Sequence, residues 1–171
     1  MGKVFLKSDQ LPDWTEKVRP SQAQYNIGDT KLQIGMAIGV FDTLHPGHLS
    51  FLAQAKLCVT TLLVVVYDDE SAKRLNGYSR PLMPLEARVQ ILISLPYVDA
   101  VIVCNSQDVT EIIDQVKPNY LFKGNEKLTT EKIVGAKEVM SHGGFVCKIP
   151  YNQEWSTSNI INNFIHKVRL L

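Results

Sequence analysis

Cysteine is scarce and scattered: Cys58, Cys104 and Cys147 are the only three in 171 residues, and no C-x-x-C spacing occurs among them. That excludes a disulfide framework and a zinc knuckle, and it fits a reducing compartment. Long apolar runs are missing as well, the longest being the stretch around Leu62 to Val66, far short of the roughly 20 residues a membrane span needs. The first residues lack the apolar core of a secretory signal, so the chain is expected to be cytoplasmic and to have no membrane partner. No charge of one sign dominates, with 18 Lys and Arg against 17 Asp and Glu and a formal charge of +1. Without a global field to hold a polyanion, nucleic acid is not an expected partner, and any affinity for phosphate must be local. The G-x-x-x-x-G-K-[ST] and G-x-G-x-x-G patterns are absent, which opposes a P-loop kinase and a Rossmann dehydrogenase.

What is present is apolar mass: 45% of residues are hydrophobic and 20% charged, enough for the core of one domain. Residues 1–33 are polar, carry Pro12 and Pro20, and show only a weak helical pattern around Gln10 to Val18. They read as a lead-in outside the core, ahead of a domain spanning 34–171. From Ile34 onward short apolar runs, Ile34–Val40, Leu62–Tyr67, Val98–Cys104, Asn119–Phe122 and Gly144–Ile149, alternate with amphipathic stretches. Helices are expected over His48–Cys58, Pro84–Leu95, Val109–Val116, Thr130–His142 and Ser156 to about Val168, with Asp108 and Ser156 as N-caps. The alternation predicts an α/β fold, a three-layer α/β/α sandwich around a mostly parallel five-stranded sheet.

In such a sheet ligands bind beyond the carboxyl ends of the strands. The first run leads directly into Gly39-Val40-Phe41-Asp42-Thr43-Leu44-His45-Pro46-Gly47-His48. Gly47 permits close backbone approach at the head of a helix, and His48 falls in its first turn, where free N–H groups and the positive dipole end favour an anion. A phosphate site is the reading. Ser156, Thr157 and Ser158 open the last helix, where hydroxyls and N–H groups can hold further phosphate oxygens. Asp42 either orients a turn or helps hold a metal through water.

The decapeptide resembles the G-x-F-D-x-x-H-x-G-H signature of the cytidylyltransferase-like nucleotidyltransferases, and the similarity runs from about Ile34 to Ile165. Ser71-Ala72-Lys73-Arg74-Leu75-Asn76-Gly77-Tyr78-Ser79-Arg80-Pro81, followed by Pro84-Leu85-Glu86-Ala87-Arg88, is similar to a stretch of the bacterial heptose 1-phosphate adenylyltransferases. So are Lys117 to Glu126 and Ser156-Thr157-Ser158. The chain departs from that pattern at Asn76, where the family has lysine, at Asn125-Glu126, where it has Gly-Asp, and at Trp155, where a small residue or cysteine precedes the serine. These departures bear on the specificity for sugar and base.

The resemblance implies the Rossmann-like nucleotidyltransferase (HUP) fold and a reaction between ATP and a sugar 1-phosphate. His45, His48, Lys73 and Arg88 would be catalytic, contacting phosphate. Gly39, Val40, Phe41, Asp42, Gly47, Lys123, Gly124 and Ser156 to Ser158 would hold the nucleotide. Imidazolium donates to phosphate better than a neutral ring, so histidine protonation is expected to matter near neutral pH. Mg²⁺ is expected to be carried by substrate phosphates without a protein metal cage, and a homodimer fits the family. CTP with glycerol 3-phosphate or another phospho-alcohol, and ATP with FMN, remain alternative substrate pairs. A catalytically silent nucleotide-binding relative is the second class of reading, and intact His45, Gly47 and His48 argue for catalysis.

Overall fold

Strands rich in valine, leucine and isoleucine, separated by helix-length amphipathic segments, build an alternating structure. The computed structural model describes residues 4–6, 10–18, 33–124, 128–150 and 155–168. Its elements run β1 (Val4–Leu6), α1 (Leu11–Val18), β2 (Ile34–Gly39), α2 (Pro46–Leu57), β3 (Thr61–Tyr67), α3 (Asp69–Asn76) and α4 (Leu85–Ser94). They continue with β4 (Ala100–Cys104), α5 (Val109–Val116), β5 (Tyr120–Lys123), a 3₁₀ turn (Thr130–Lys132), α6 (Ala136–Ser141), β6 (Phe145–Lys148) and α7 (Thr157–Val168). The sheet is parallel throughout, in the order β1-β4-β3-β2-β5-β6.

Each central strand feeds both faces of the sheet, because successive side chains point to opposite sides. Leu63, Val65 and Tyr67 of β3 join Ile34, Met36 and Ile38 of β2 in a core closed by α1, α5 and α6. Leu62, Val64 and Val66 join Ala37 and Phe122 in a second core closed by α2 and α4. All seven residues of β3 are buried, and each large apolar side chain so buried contributes roughly 1.5–3 kcal/mol. The three layers follow directly from this two-sided burial.

Four sequence expectations change. The sheet has six strands and not five, because Val4–Leu6 pairs with Ala100–Ile102 of β4. The same lead-in, expected outside the core, contributes Leu6, Leu11 and Trp14 to it. Thr130–His142 is not one helix: a 3₁₀ turn and α6 are separated at Gly135, which has φ 84°. Residues 69–76, which carry Lys73 and fall outside every helix expected from the sequence, form α3, capped by the Asp68 carboxylate accepting from Ser71 N at 2.7 Å. Asn125 and Glu126 lie outside the described residues.

The strand order also locates a crevice. From β2 the chain steps outward through β3 to β4, then returns to lay β5 on the other side of β2. Such a switch point opens a cleft at the carboxyl ends of the two strands that part there. Here those ends carry the Gly39–His48 loop and Lys123.

Candidate active site

The cleft at the switch point is a cavity of about 590 Å³, within the size range of small-molecule sites. The loop from β2 into α2 forms its floor, and two residues there, Phe41 (φ 52°) and Thr43 (φ 43°), adopt the left-handed conformation that side chains disfavour. The surrounding structure must hold such a backbone in place. Asp42 sits between them and is buried. Its carboxylate accepts from Leu82 N (2.9 and 3.0 Å), Met83 N (3.0 Å) and Arg80 Nη1 (3.2 Å). Its carbonyl accepts from Thr157 Oγ1 at 3.0 Å. One residue thus joins three segments that lie far apart in the sequence.

His45 occupies the N-cap position of α2, and Pro46 follows at the first helical position, where its missing N–H costs nothing. The His45 side chain makes no capping hydrogen bond, so among the described residues the first-turn N–H groups of this helix are open to another acceptor. The His45 and His48 rings stack with centroids 3.9 Å apart. Each keeps a buried Nδ1 with no hydrogen-bond partner among the described residues, an unusual expense for a folded protein and one a ligand oxygen would relieve. A Cβ on Gly47 would stand 3.0 Å from the His45 ring and 3.0 Å from the Trp155 carbonyl oxygen. Glycine there lets the segment before α7 close onto the head of α2. Ser156 caps α7, accepting from Asn159 N at 3.2 Å, so two helix N-termini meet in the cavity.

Burial moves the histidines away from the protonation expected of them. His45 is held below its ordinary value by desolvation. His48 is pushed down to about 4 by desolvation and by the His45 ring, against a smaller opposing pull from Asp42. Both shifts favour the neutral ring in the free protein. Lys123, at the end of β5, also lies below its ordinary value because of burial.

The cavity brings together most residues singled out in the sequence: Gly39, Val40, Phe41, Asp42, His45, Gly47, His48, Lys123, Gly124 and Ser156 to Ser158 all line it. Two do not. The Lys73 ammonium pairs with Glu70 at 2.6 Å on the surface of α3. Arg88 is fully buried, its guanidinium donating to Met83 O (3.1 Å), Val40 O (2.7 Å), Tyr67 O (2.8 Å) and Asp69 Oδ1 (2.6 Å). It ties the carboxyl ends of β2 and β3 to α3 and is not among the residues that line the cavity. Conversely, Arg80, Asn76 and Leu75 line the cavity without having been assigned to it. Among the described residues no group of three or more His, Cys, Asp or Glu side chains could hold a metal ion, and the four contacts on the Asp42 carboxylate leave it no free side for one.

The sequence matches the cytidylyltransferase-like family over residues 36–163. The bifunctional protein HldE of Blochmanniella floridana is 39% identical over 130 residues, covering 76% of this chain and 27% of that protein. HldE of Shewanella amazonensis is 35% identical over 165 residues, covering 95% of this chain and 34% of the relative. The chain thus spans about a quarter to a third of the length of these curated relatives. Among solved structures, the lipopolysaccharide core biosynthesis protein from Thermoplasma volcanium superposes with a TM-score of 0.59 at 30% identity, covering 71% of this chain and 98% of that one. Pantoate-beta-alanine ligase from Francisella tularensis, solved with Beta-gamma ATP and Beta-alanine, superposes with a TM-score of 0.62 at 16% identity, over 94% of this chain and 73% of that one. That last likeness is one of fold alone.

Proposed function

The chain belongs to the cytidylyltransferase-like family, and from that premise we propose that it transfers the AMP moiety of ATP to heptose 1-phosphate, releasing pyrophosphate. The acceptor rests on the resemblance of the Ser71–Arg88 stretch to heptose 1-phosphate adenylyltransferases and on the likeness to proteins named HldE. The observation that carries the chemistry is the stacked His45–His48 pair, each ring with an Nδ1 unpartnered among the described residues, at the meeting of two helix N-termini.

In the reaction an acceptor phosphate oxygen forms a bond to the α-phosphorus, and the bond from that phosphorus to the oxygen bridging to the β-phosphate breaks. The electron pair leaves with pyrophosphate, and no covalent enzyme intermediate is needed. Catalysis is then positioning plus stabilisation of developing charge. The first-turn N–H groups of α2 and the Ser156–Ser158 turn would cradle the triphosphate. The neutral histidines would donate to its oxygens, and a bound polyanion would raise their affinity for protons as charge accumulates on the leaving group. Lys123 supplies a cation from β5. A divalent ion, Mg²⁺ in this reading, would travel with the triphosphate and its waters and screen its charge, since the described residues offer it no ligand set.

The test is pyrophosphate release with Mg²⁺, crossing ATP and CTP with heptose 1-phosphate, glycerol 3-phosphate and FMN, beside a His48→Ala control. Turnover with ATP and heptose 1-phosphate that falls at least about 100-fold in His48→Ala supports the reading. Turnover with another pair reassigns the substrates, and activity surviving His48→Ala overturns the role of that residue.

A further inference from the structure

We propose that Arg80 is the anchor for the acceptor's phosphate, aimed by Asp42, an assignment that rests on the nucleotidyl-transfer reading above. Arg80 and Lys123 are the two full cations lining the cavity among the described residues, and Asp42 is its one anion. The two cations stand on opposite flanks: Arg80 follows β3 and α3, Lys123 ends β5, and β2 lies between those strands. In-line transfer at phosphorus puts the attacking and leaving groups on opposite sides. A phosphorylated acceptor therefore needs its own counter-charge, apart from the groups that hold the triphosphate.

The β3 flank has the chemistry of a sugar phosphate. The last turn of α3 presents carbonyl oxygens and the negative end of a helix dipole, which repel a triphosphate but accept hydrogen bonds from hydroxyl groups. Asn76 adds an amide that donates and accepts, and half-exposed Leu75 adds an apolar surface for the face of a sugar ring. Asn76 itself carries no charge to meet a phosphate, and Lys73 is turned to Glu70 on the surface. The cation on this flank is Arg80, whose planar fork matches a pair of phosphate oxygens.

Arg80 is not needed to pin its own loop. Leu82 N and Met83 N already fasten that loop to the Asp42 carboxylate. The 3.2 Å contact to Asp42 engages one of the five guanidinium N–H donors, and the side chain, 15% exposed, lines the cavity wall, where the rest of its fork can meet a ligand. Asp42 is thus a positioning residue, and Arg80 touches substrate.

The experiment measures KM for heptose 1-phosphate and for ATP separately in the wild type, Arg80→Lys and Arg80→Gln, with thermal melting to verify folding. Arg80→Lys keeps the charge opposite Asp42 but loses the fork, and should raise the acceptor KM about tenfold while the ATP KM stays within about twofold. Arg80→Gln should raise the acceptor KM about 100-fold. Inorganic phosphate should inhibit the wild type competitively with the acceptor and not with ATP, and this inhibition should vanish in Arg80→Gln. An unchanged acceptor KM, or an ATP KM that rises equally, overturns the assignment. Should heptose 1-phosphate prove not to be the acceptor, ³¹P NMR titration with inorganic phosphate still decides: binding lost in folded Arg80→Lys and Arg80→Gln supports the anchor, and binding unchanged in both refutes it.

Discussion

Replacing Arg88 separates a structural role from a ligand-binding one. Its guanidinium is fully buried and supplies four acceptors, three of them backbone carbonyls: Val40, Tyr67 and Met83. Arg88→Met preserves much of the packing of the stem and removes every donor. Tyr67 O, at the end of a fully buried strand, and Val40 O then lose their charged donor, at about 1–3 kcal/mol for each acceptor left buried and unpaired. Asp69 is 39% exposed, so water takes over its side of the ion pair and that loss adds little. The sum is about 3 kcal/mol, and Arg88→Lys, with a single ammonium that cannot span four acceptors, should lose about half of it. At about 2–4 °C per kcal/mol for a domain of this size, Arg88→Met should melt roughly 6–12 °C below the wild type. Calorimetry measures the shift, and ATP affinity at 10 °C, where the variant stays folded, should remain within about fivefold, a change near 1 kcal/mol. A variant that melts with the wild type but no longer binds nucleotide would refute the argument and return Arg88 to the phosphate.

Acid should weaken the fold through His48. The unfolded imidazole titrates near 6.5 and the folded one near 4, so between these values the unfolded chain holds more protons. This contribution is constant above pH 6.5 and falls by about 3 kcal/mol as the pH drops to 4; urea titrations at several pH values should show that slope reduced in His48→Gln. Gly135→Ala places a Cβ 2.2 Å from Ile113 Cδ1 at a φ of 84°, and should cost about 1–3 kcal/mol in urea denaturation. Lys73→Ala removes an exposed pair with Glu70 and should change kcat/KM less than about threefold and leave the urea midpoint where it is; a loss of 100-fold would place Lys73 in the reaction after all.

The sheet was legible because its strands are nearly continuous apolar runs, and the head of α2 because glycine, proline and two histidines fall together after the first of them. The missed strand, Val4–Leu6, is three residues long, too short for any periodicity to register. Leu11 and Trp14, three apart in α1, did carry a helical core signal, obscured by the polar composition around them. The helix α3 was missed although Asp68, three residues before Ser71, announced an N-cap. Arg88 shares the stripe of Leu85 and Leu92, at i, i+3 and i+7, and that shared stripe signals an arginine turned inward. Arg80 lay within the Ser71–Pro81 stretch on which the resemblance rests, but no apolar stripe marked where it turns. Its place depends on Asp42, 38 residues away, and such a contact has no trace in local spacing.

The electrostatic design follows from where charge is absent. An imidazolium at His48 would face its stacked neighbour in a desolvated site, and the protein leaves both rings neutral. Two buried Nδ1 atoms without partners among the described residues are the cost. An oxygen-rich polyanion entering between the helix N-termini offers acceptors to those rings and adds the negative potential that makes protonation favourable. Under the proposed function, proton affinity at the histidines would thereby be coupled to occupancy of the cleft. The coupling requires that the loop carrying them keep its left-handed turns while charge arrives. Asp42 provides this, since its carboxylate holds the Arg80–Met83 segment and its carbonyl holds Thr157. Sequence reading placed Asp42 among groups that meet the ligand or steady a turn, and the structure shows the steadying contacts and extends them across three segments.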